Sequence, residues 1–258
     1  MYSLRDKIVF VTGASSGIGT ACARAFAAQG AKVLMCARRL ERIQSLADEL
    51  QKEHGVAAHT FQLDVRDQPA VESAIASLPS EWEAIEVLVN NAGLSRGLDK
   101  LHEGKLQDWE EMIDTNIKGL LYVSRAVIPG MVKRGVGHII NLGSIAGIEV
   151  YPGGNVYCAT KFAVRALSQG MRIDLLGTPL RVTNVQPGMV ETEFSLVRFH
   201  GDEARADKVY EGITPLTPDD IADAIVYCAT RSPHVNIVEM LITPQAQVSA
   251  TMSYREKK

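Results

Sequence analysis

The run KIVFVTGASSGIG, residues 7–19, leaves this chain few folds to choose from. Lys7 to Thr12 is a β-branched and aromatic run that reads as a buried strand, and the alanine-rich Thr20 to Gln29 reads as a helix. Between them Gly13, Gly17 and Gly19 form a G-x-x-x-G-x-G turn. Residues without a Cβ let backbone amides approach an anion held at the positive end of a helix. A tight turn alone also explains three glycines. Set directly between a strand and a helix, they point to a phosphate cradle.

Strands and helices then alternate to the end of the chain. Strands are predicted at Lys32 to Ala37, Val56 to Leu63, Glu86 to Val89, Gly137 to Gly143, Leu180 to Gln186 and Ile237 to Ile242. Helices are predicted at Gln107 to Arg134, Asn155 to Leu176 and Asp219 to Thr230, with Pro129 expected to bend or divide the first. The polar segment Glu193 to Tyr210 reads as a lid or as short helices. This alternation predicts an α/β fold: a doubly wound parallel sheet of about seven strands with helices on both faces.

With 258 residues, 46% of them hydrophobic, the chain can bury one full core, so residues 1–258 are expected to form a single domain. A net charge of -3 offers no basic field for nucleic acid or an anionic membrane, so recognition of a small molecule must be local. No segment approaches the ~18 apolar residues of a membrane span, and the apolar run after MYSLRDK is too short for a signal-peptide core. Cys22, Cys36, Cys158 and Cys228 are scattered and the histidines lack ligand spacing, which predicts no metal and a reducing, cytoplasmic setting.

The candidate chemistry lies where strands end. The second strand runs into Ala37-Arg38-Arg39, where an NAD-binding fold of this type usually offers a carboxylate to the ribose; two arginines there favour the 2′-phosphate of NADP. The other reading, surface charges opening the next helix, sets them against the helix dipole. Asp64 and Val65 end the third strand and either face the adenine or, through Asp64, cap the helix near Asp67. Asn90-Asn91-Ala92-Gly93 either approaches the cofactor or bonds neighbouring strands, with stabilisation the larger part. Asn116, a poor residue for a helix interior, either holds a water against Lys161 or marks a bend near Gly119. Ser144 ends the fifth strand, at the edge where open α/β sheets bind ligands.

Tyr157 and Lys161, four residues apart on a helix, stack one turn apart. A unit charge at ~4 Å and an effective dielectric of ~20 contributes roughly 4 kcal/mol, enough to draw a phenol pKa from about 10 toward neutrality. Tyr157 is then a plausible acid/base. Spacing alone does not establish this, since Tyr254 and Lys258 repeat it in the polar C-terminal tail.

TGASSGIG, Asn90-Asn91-Ala92-Gly93, Asn116, Ser144, Tyr157-x-x-x-Lys161 and Pro187-Gly188-x-x-x-Thr192, in this order, resemble the short-chain dehydrogenase/reductase family. The resemblance implies a Rossmann-type sheet and hydride transfer with a nicotinamide cofactor, here NADP. It gives Tyr157 the acid/base role and Ser144 the substrate oxygen. Lys161 would lower the phenol pKa and bind the nicotinamide ribose, Asn116 would order a proton-relay water, and Thr192 would hold the carboxamide. The implied cofactor contacts are Gly13, Ser15, Ser16, Gly17, Ile18, Gly19, Arg38, Arg39, Asp64, Val65, Asn91, Ala92, Gly93, Tyr157, Lys161, Pro187, Gly188, Val190 and Thr192. A homotetramer through the helices bearing Asn116 and Tyr157 is implied as well.

GGNVYCATKFAVR from Gly153 to Arg165 and ETEFSLVRF from Glu191 to Phe199 are similar to the NADP-dependent 3-hydroxy acid dehydrogenases of that family. These oxidise L-serine, L-allo-threonine and related acids such as 3-hydroxypropionate, and reduce malonic semialdehyde. The resemblance leans toward Arg198 as the partner of a substrate carboxylate, against a surface ion pair with Glu193 or Asp202. Pocket residues such as Ile148 and Glu149 can change without disturbing the motifs, so an NADPH-dependent reductase of larger ketones or aldehydes, or a non-catalytic NADP sensor, are the competing readings.

Overall fold

The computed structural model describes residues 2–256. Seven parallel strands form one sheet in the order β3-β2-β1-β4-β5-β6-β7. They are β1 (Ile8–Thr12), β2 (Lys32–Ala37), β3 (Ala58–Gln62), β4 (Ile85–Asn90), β5 (His138–Leu142), β6 (Arg181–Pro187) and β7 (Glu239–Ile242). β1 and β6 are buried along their whole length, as expected of central strands covered on both faces.

Nine helices connect the strands among the described residues: α1 (Gly17–Ala28), α2 (Leu40–His54), α3 (Gln68–Ala76), α4 (Leu106–Ile113), α5 (Leu120–Arg134), α6 (Asn155–Asp174), α7 (Phe194–Arg198), α8 (Glu203–Lys208) and α9 (Pro218–Ala229). One core holds Phe26 of α1, Leu46 of α2 and Ile221 of α9 against Val9 and Val11; the other holds Val71 of α3 and Val123 and Met131 of α5 against Phe10 and Leu88. Alternate residues of β1 thus feed opposite cores, which is the two-residue period of a strand put to use. β2 and β4 flank β1 on opposite sides, so the chain reverses its winding there and opens a crevice at the carboxyl ends of the strands.

Some local expectations change. The long helix widens at Asp114–Gly119 into a π-helical turn between α4 and α5, and α5 continues past Pro129. Wider turns of this kind often mark functional positions, and this one contains Asn116. Asp67 caps α3 by accepting from Ala70 N at 3.0 Å, whereas Asp64 is engaged by Arg66. The segment 193–210 folds as the short helices α7 and α8. Tyr254 lies among the described residues and Lys258 outside them, so their matching spacing with Tyr157 and Lys161 carries no structural reading.

Candidate active site

A cleft of about 610 Å³ runs along the carboxyl ends of the strands, from Arg38, Arg39 and Asp64 at one end to Tyr157, Lys161 and Arg198 at the other. It gathers nearly every site residue expected from the sequence. Gly19 and Asn116 do not line it and act from behind its wall.

The glycines shape the first end. Gly13 has φ +66°, and a Cβ on it would stand 2.9 Å from Ala92 Cα; a Cβ on Gly19 would stand 2.4 Å from Gly13 O. The turn is therefore closed to larger residues, and Ser16, at the N-cap of α1, makes no side-chain cap bond. Thr12 and Asn91 lock the turn to β4: Thr12 Oγ1 accepts from the amides of Asn91 and Ala92 at 3.1 and 3.0 Å, and Asn91 Nδ2 donates to Thr12 O at 2.9 Å. Asn90 donates to Ser124 and to Asn141, both at 2.9 Å. The paired asparagines therefore stabilise the sheet edge, while Asn91, Ala92 and Gly93 also face the cleft.

At the ribose end, Arg38 is exposed and Arg39 is half-buried at the start of α2. Arg39 donates to Ser16 Oγ at 2.9 Å, to Ser15 Oγ and to the Glu193 carboxylate at 3.0 Å. The two arginines differ, then: Arg39 is built into the glycine turn, and Arg38, near Asp64, has no side-chain partner among the described residues. Asp64 is paired bidentately with Arg66. Despite the desolvation that pushes its carboxyl up, hydrogen bonds and charge from Arg66 hold it below the usual range.

The tyrosine end of the cleft differs from expectation in its electrostatics. Tyr157 is 7% exposed, and burial raises its phenol pKa; the Arg198 guanidinium and then the Ser144 hydroxyl pull in the lowering direction. Lys161 was the expected source of that lowering. Its Nζ lies 5.9 Å from the Tyr157 ring centroid and donates to Leu142 O at 2.8 Å, and burial brings its own pKa down to about 8. The correction follows from burial, which four-residue spacing does not reveal: desolvation disfavours the charged form of both groups.

Asn116 spends its side chain on structure, with Oδ1 accepting from Leu94 N at 2.9 Å and Nδ2 donating to Leu94 O and Thr160 Oγ1 at 2.8 and 3.0 Å. A Cβ on Gly93 would lie 3.3 Å from Asn116 Oδ1 and 3.6 Å from Lys161 Nζ, so the bare glycine keeps open the space between amide and ammonium.

Arg198 closes the site from the lid. Its guanidinium carbon is 5.4 Å from the Tyr157 ring centroid and 5.0 Å from that of Phe194, and Nη2 donates to Tyr151 OH at 3.1 Å. Nε is buried without a partner, and no carboxylate pairs with the guanidinium among the described residues. The ion pair with Glu193 considered above is not formed, because Glu193 faces Arg39 and Arg42 instead. The lid is tied to the rest of the chain by Arg198 O accepting from Gly97 N at 2.9 Å and by Tyr210 OH donating to Val190 O at 2.9 Å, while a Ser195–Tyr210 hydroxyl pair at 2.9 Å braces it internally.

The sequence reading missed Tyr151, Arg42 and the C-terminal tail. Residues 249–253 and Gln247 line the cleft, and Gln247 Oε1 accepts from Met189 N at 2.8 Å, pinning the loop after β6. Such contacts join segments far apart in sequence, and no local pattern announces them.

This glycine cradle, with a buried tyrosine, lysine and serine at the far end of one cleft, belongs to a known class. The short chain dehydrogenase model matches residues 7–201, and the chain belongs to that family of oxidoreductases. Among its relatives, the NADP-dependent 3-hydroxy acid dehydrogenase YdfG of Salmonella typhi is 53% identical over 95% of this chain and 98% of its own length. Sulfoacetaldehyde reductase 2 of Chromohalobacter salexigens is 47% identical over 94% of this chain and 96% of its own. The closed form of a serine dehydrogenase complexed with NADP+ superposes with a TM-score of 0.90 at 49% identity, covering 97% of this chain and 100% of that one.

Proposed function

We propose that this NADP-dependent oxidoreductase moves a hydride between NADP(H) and a short 3-hydroxy acid such as L-serine, L-allo-threonine or 3-hydroxypropionate, with reduction of malonic semialdehyde as the reverse type of reaction. The observation that carries the substrate class is Arg198: a guanidinium stacked over the acid/base tyrosine, with a buried, unpartnered N–H. A cation so placed suits a small anion through paired hydrogen bonds. The relatives' names agree, since a 3-hydroxy acid and sulfoacetaldehyde each carry an acidic group a short distance from the reacting carbon.

The cleft fits NADP on its own terms. The bare glycines leave room for backbone approach, the free amides at the start of α1 suit a pyrophosphate, and Arg39 with the neighbouring Arg38 suits a 2′-phosphate. When bound, NADP supplies or accepts the hydride. The chain does the rest. Tyr157 gives or takes the proton on the substrate oxygen, and Ser144 holds that oxygen. Lys161 places a positive charge behind the phenol and the nicotinamide ribose. Asn116 Oδ1 and the gap over Gly93 offer a water a place beside Lys161, and Thr192 is set to hold the carboxamide. The complete proton-handling set disfavours a non-catalytic sensor.

In this reading one unit both binds cofactor and reacts, in the cytoplasm, as a homotetramer. Exposed apolar side chains on the helices expected to pair support the assembly: Leu106 and Ile113 on α4, Leu121 on α5, and Phe162 and Ile173 on α6. Among the described residues no helix is long and apolar enough to cross a membrane.

The deciding experiment compares kcat/KM for 3-hydroxy acids with that for neutral alcohols, and for malonic semialdehyde and sulfoacetaldehyde with that for larger neutral ketones, each with NADP(H) and NAD(H). Preference for the anionic substrates with NADP(H) is expected. Better turnover of the neutral ketones would replace this reading with that of a general ketone reductase.

A further inference from the structure

Glu193 stands at the junction between the cofactor cleft and the lid, one residue after Thr192 and one before α7. One carboxylate oxygen accepts from Arg39 Nη1 at 3.0 Å and the other from Arg42 Nη1 at 2.7 Å. The same Arg39 reaches Ser15 and Ser16 of the glycine turn, at 3.2 and 2.9 Å from Nη2. Two guanidiniums and two serine hydroxyls thus converge at the end of β2, with a carboxylate of the chain itself held between the guanidiniums. Hydrogen bonding from Arg42, then Arg39, keeps that carboxyl below its usual range.

Paired guanidiniums around one multidentate oxyanion form the arrangement that recognises a phosphate monoester. Nothing else in the region calls for Glu193 to span it, since its neighbours in sequence are anchored independently: Thr192 Oγ1 accepts from Phe194 N at 3.1 Å, and Glu191 N donates to Leu216 O at 2.9 Å. We propose that Glu193 is an internal stand-in for the 2′-phosphate of NADP, holding Arg39 and Arg42 assembled in the free chain and surrendering both when the cofactor binds. Arg42 thereby becomes a specificity-determining residue beside Arg39. The exchange is possible because the resident pairs are weak: the side chains of Arg39, Arg42 and Glu193 are 40%, 47% and 40% exposed. A phosphate monoester carries about −1.5 to −2 charge near neutral pH against one for the carboxylate, so it competes well for the same guanidiniums.

This inference rests on the assignment of the 2′-phosphate to Arg39, and the two can fail separately. The probes are 2′,5′-ADP, which carries the 2′-phosphate, and 5′-AMP, which lacks it, titrated calorimetrically into the full-length free protein. Arg39→Ala should weaken 2′,5′-ADP by about tenfold or more with 5′-AMP little changed; no change for either nucleotide would remove the underlying assignment. Glu193→Gln, which keeps the shape and discards the charge, should tighten 2′,5′-ADP by about fivefold and leave 5′-AMP within about twofold. Arg42→Ala should weaken 2′,5′-ADP selectively. Unchanged or weaker 2′,5′-ADP binding in Glu193→Gln overturns the stand-in, the latter because it would make Glu193 a clasp over the bound nucleotide. Equal tightening of both nucleotides also overturns it, by moving the competition to the 5′-phosphate. An unaltered Arg42→Ala removes Arg42 from the site.

Discussion

Replacing Arg198 by alanine tests the substrate class and the electrostatics of the site together. Its guanidinium carbon sits 5.4 Å from the Tyr157 ring centroid, with a buried Nε unpaired and Nη2 on the Tyr151 hydroxyl. A substrate carboxylate at ~4 Å and an effective dielectric of ~20 gains roughly 4 kcal/mol in gross attraction. After desolvation the net is nearer the ~1.5–3 kcal/mol of a charge-assisted hydrogen bond, a factor of about 10–150 in kcat/KM. Arg198 also lowers the Tyr157 pKa, so its loss affects every substrate through the phenol. The informative quantity is therefore the ratio of kcat/KM for serine or 3-hydroxypropionate to that for a neutral alcohol, in which the common effect cancels. We expect Arg198→Ala to collapse that ratio by about 10–150-fold, and Arg198→Lys to restore part of it, because the ammonium keeps the charge and loses the fork. Steady-state kinetics at saturating NADP give both values. A ratio that survives the alanine substitution would show that no carboxylate meets Arg198.

Two further outcomes concern the buried pair. With burial dominant, Tyr157 should remain a phenol through neutral pH in the free protein, so ultraviolet difference absorbance between the natural chain and Tyr157→Phe should show no phenolate below about pH 10; a Tyr157 transition near neutrality would restore Lys161 as the controlling charge, and near-natural turnover by the phenylalanine variant would remove Tyr157 from the acid/base role. Lys161 is held down to about 8, so below pH 8 it is charged in both states and the folded chain bears the cost of burying that charge, while from about pH 8 to 10.5 the folded chain releases the proton first and stability contributed by this group rises. Lys161→Met should accordingly stabilise the chain against urea by about 2–3 kcal/mol at pH 7, with the gain shrinking toward pH 10; a gain that is absent or independent of pH contradicts the buried ammonium.

The fold was legible because its signals are local and repeated. Each buried strand is a short apolar run, and the glycine turn after β1 stands where the sequence places it, with Gly13 and Gly19 meeting backbone too closely to admit a Cβ. The divided helix was half legible. Asn116 is a poor choice for a regular helix, yet Pro129 is the louder breaker in sequence and the helix passes through it. In the site, residues delivered by strand ends were legible by position, as Ser144 and Arg39 show. Contacts such as Glu193 with Arg42, 151 residues apart, were not, because exposed charges carry no periodic pattern that names a partner.

The Tyr157–Lys161 pair shows why spacing and chemistry part company. A four-residue interval fixes which helix face two side chains share, and both are indeed buried on that face. It does not fix the medium between them. Burial disfavours phenolate and ammonium alike, so each group is drawn toward its neutral form, and a lysine whose own pKa has fallen to about 8 is a weaker fixed charge than the sequence assumed. The Arg198 guanidinium approaches the same ring at 5.4 Å while meeting no competing carboxylate among the described residues. The largest lowering influence on the phenol therefore comes from the lid. One lid side chain thus supplies both the charge that lowers the Tyr157 pKa and, in the proposed reading, the anchor for a substrate anion, so that reading couples proton transfer to the position of Arg198.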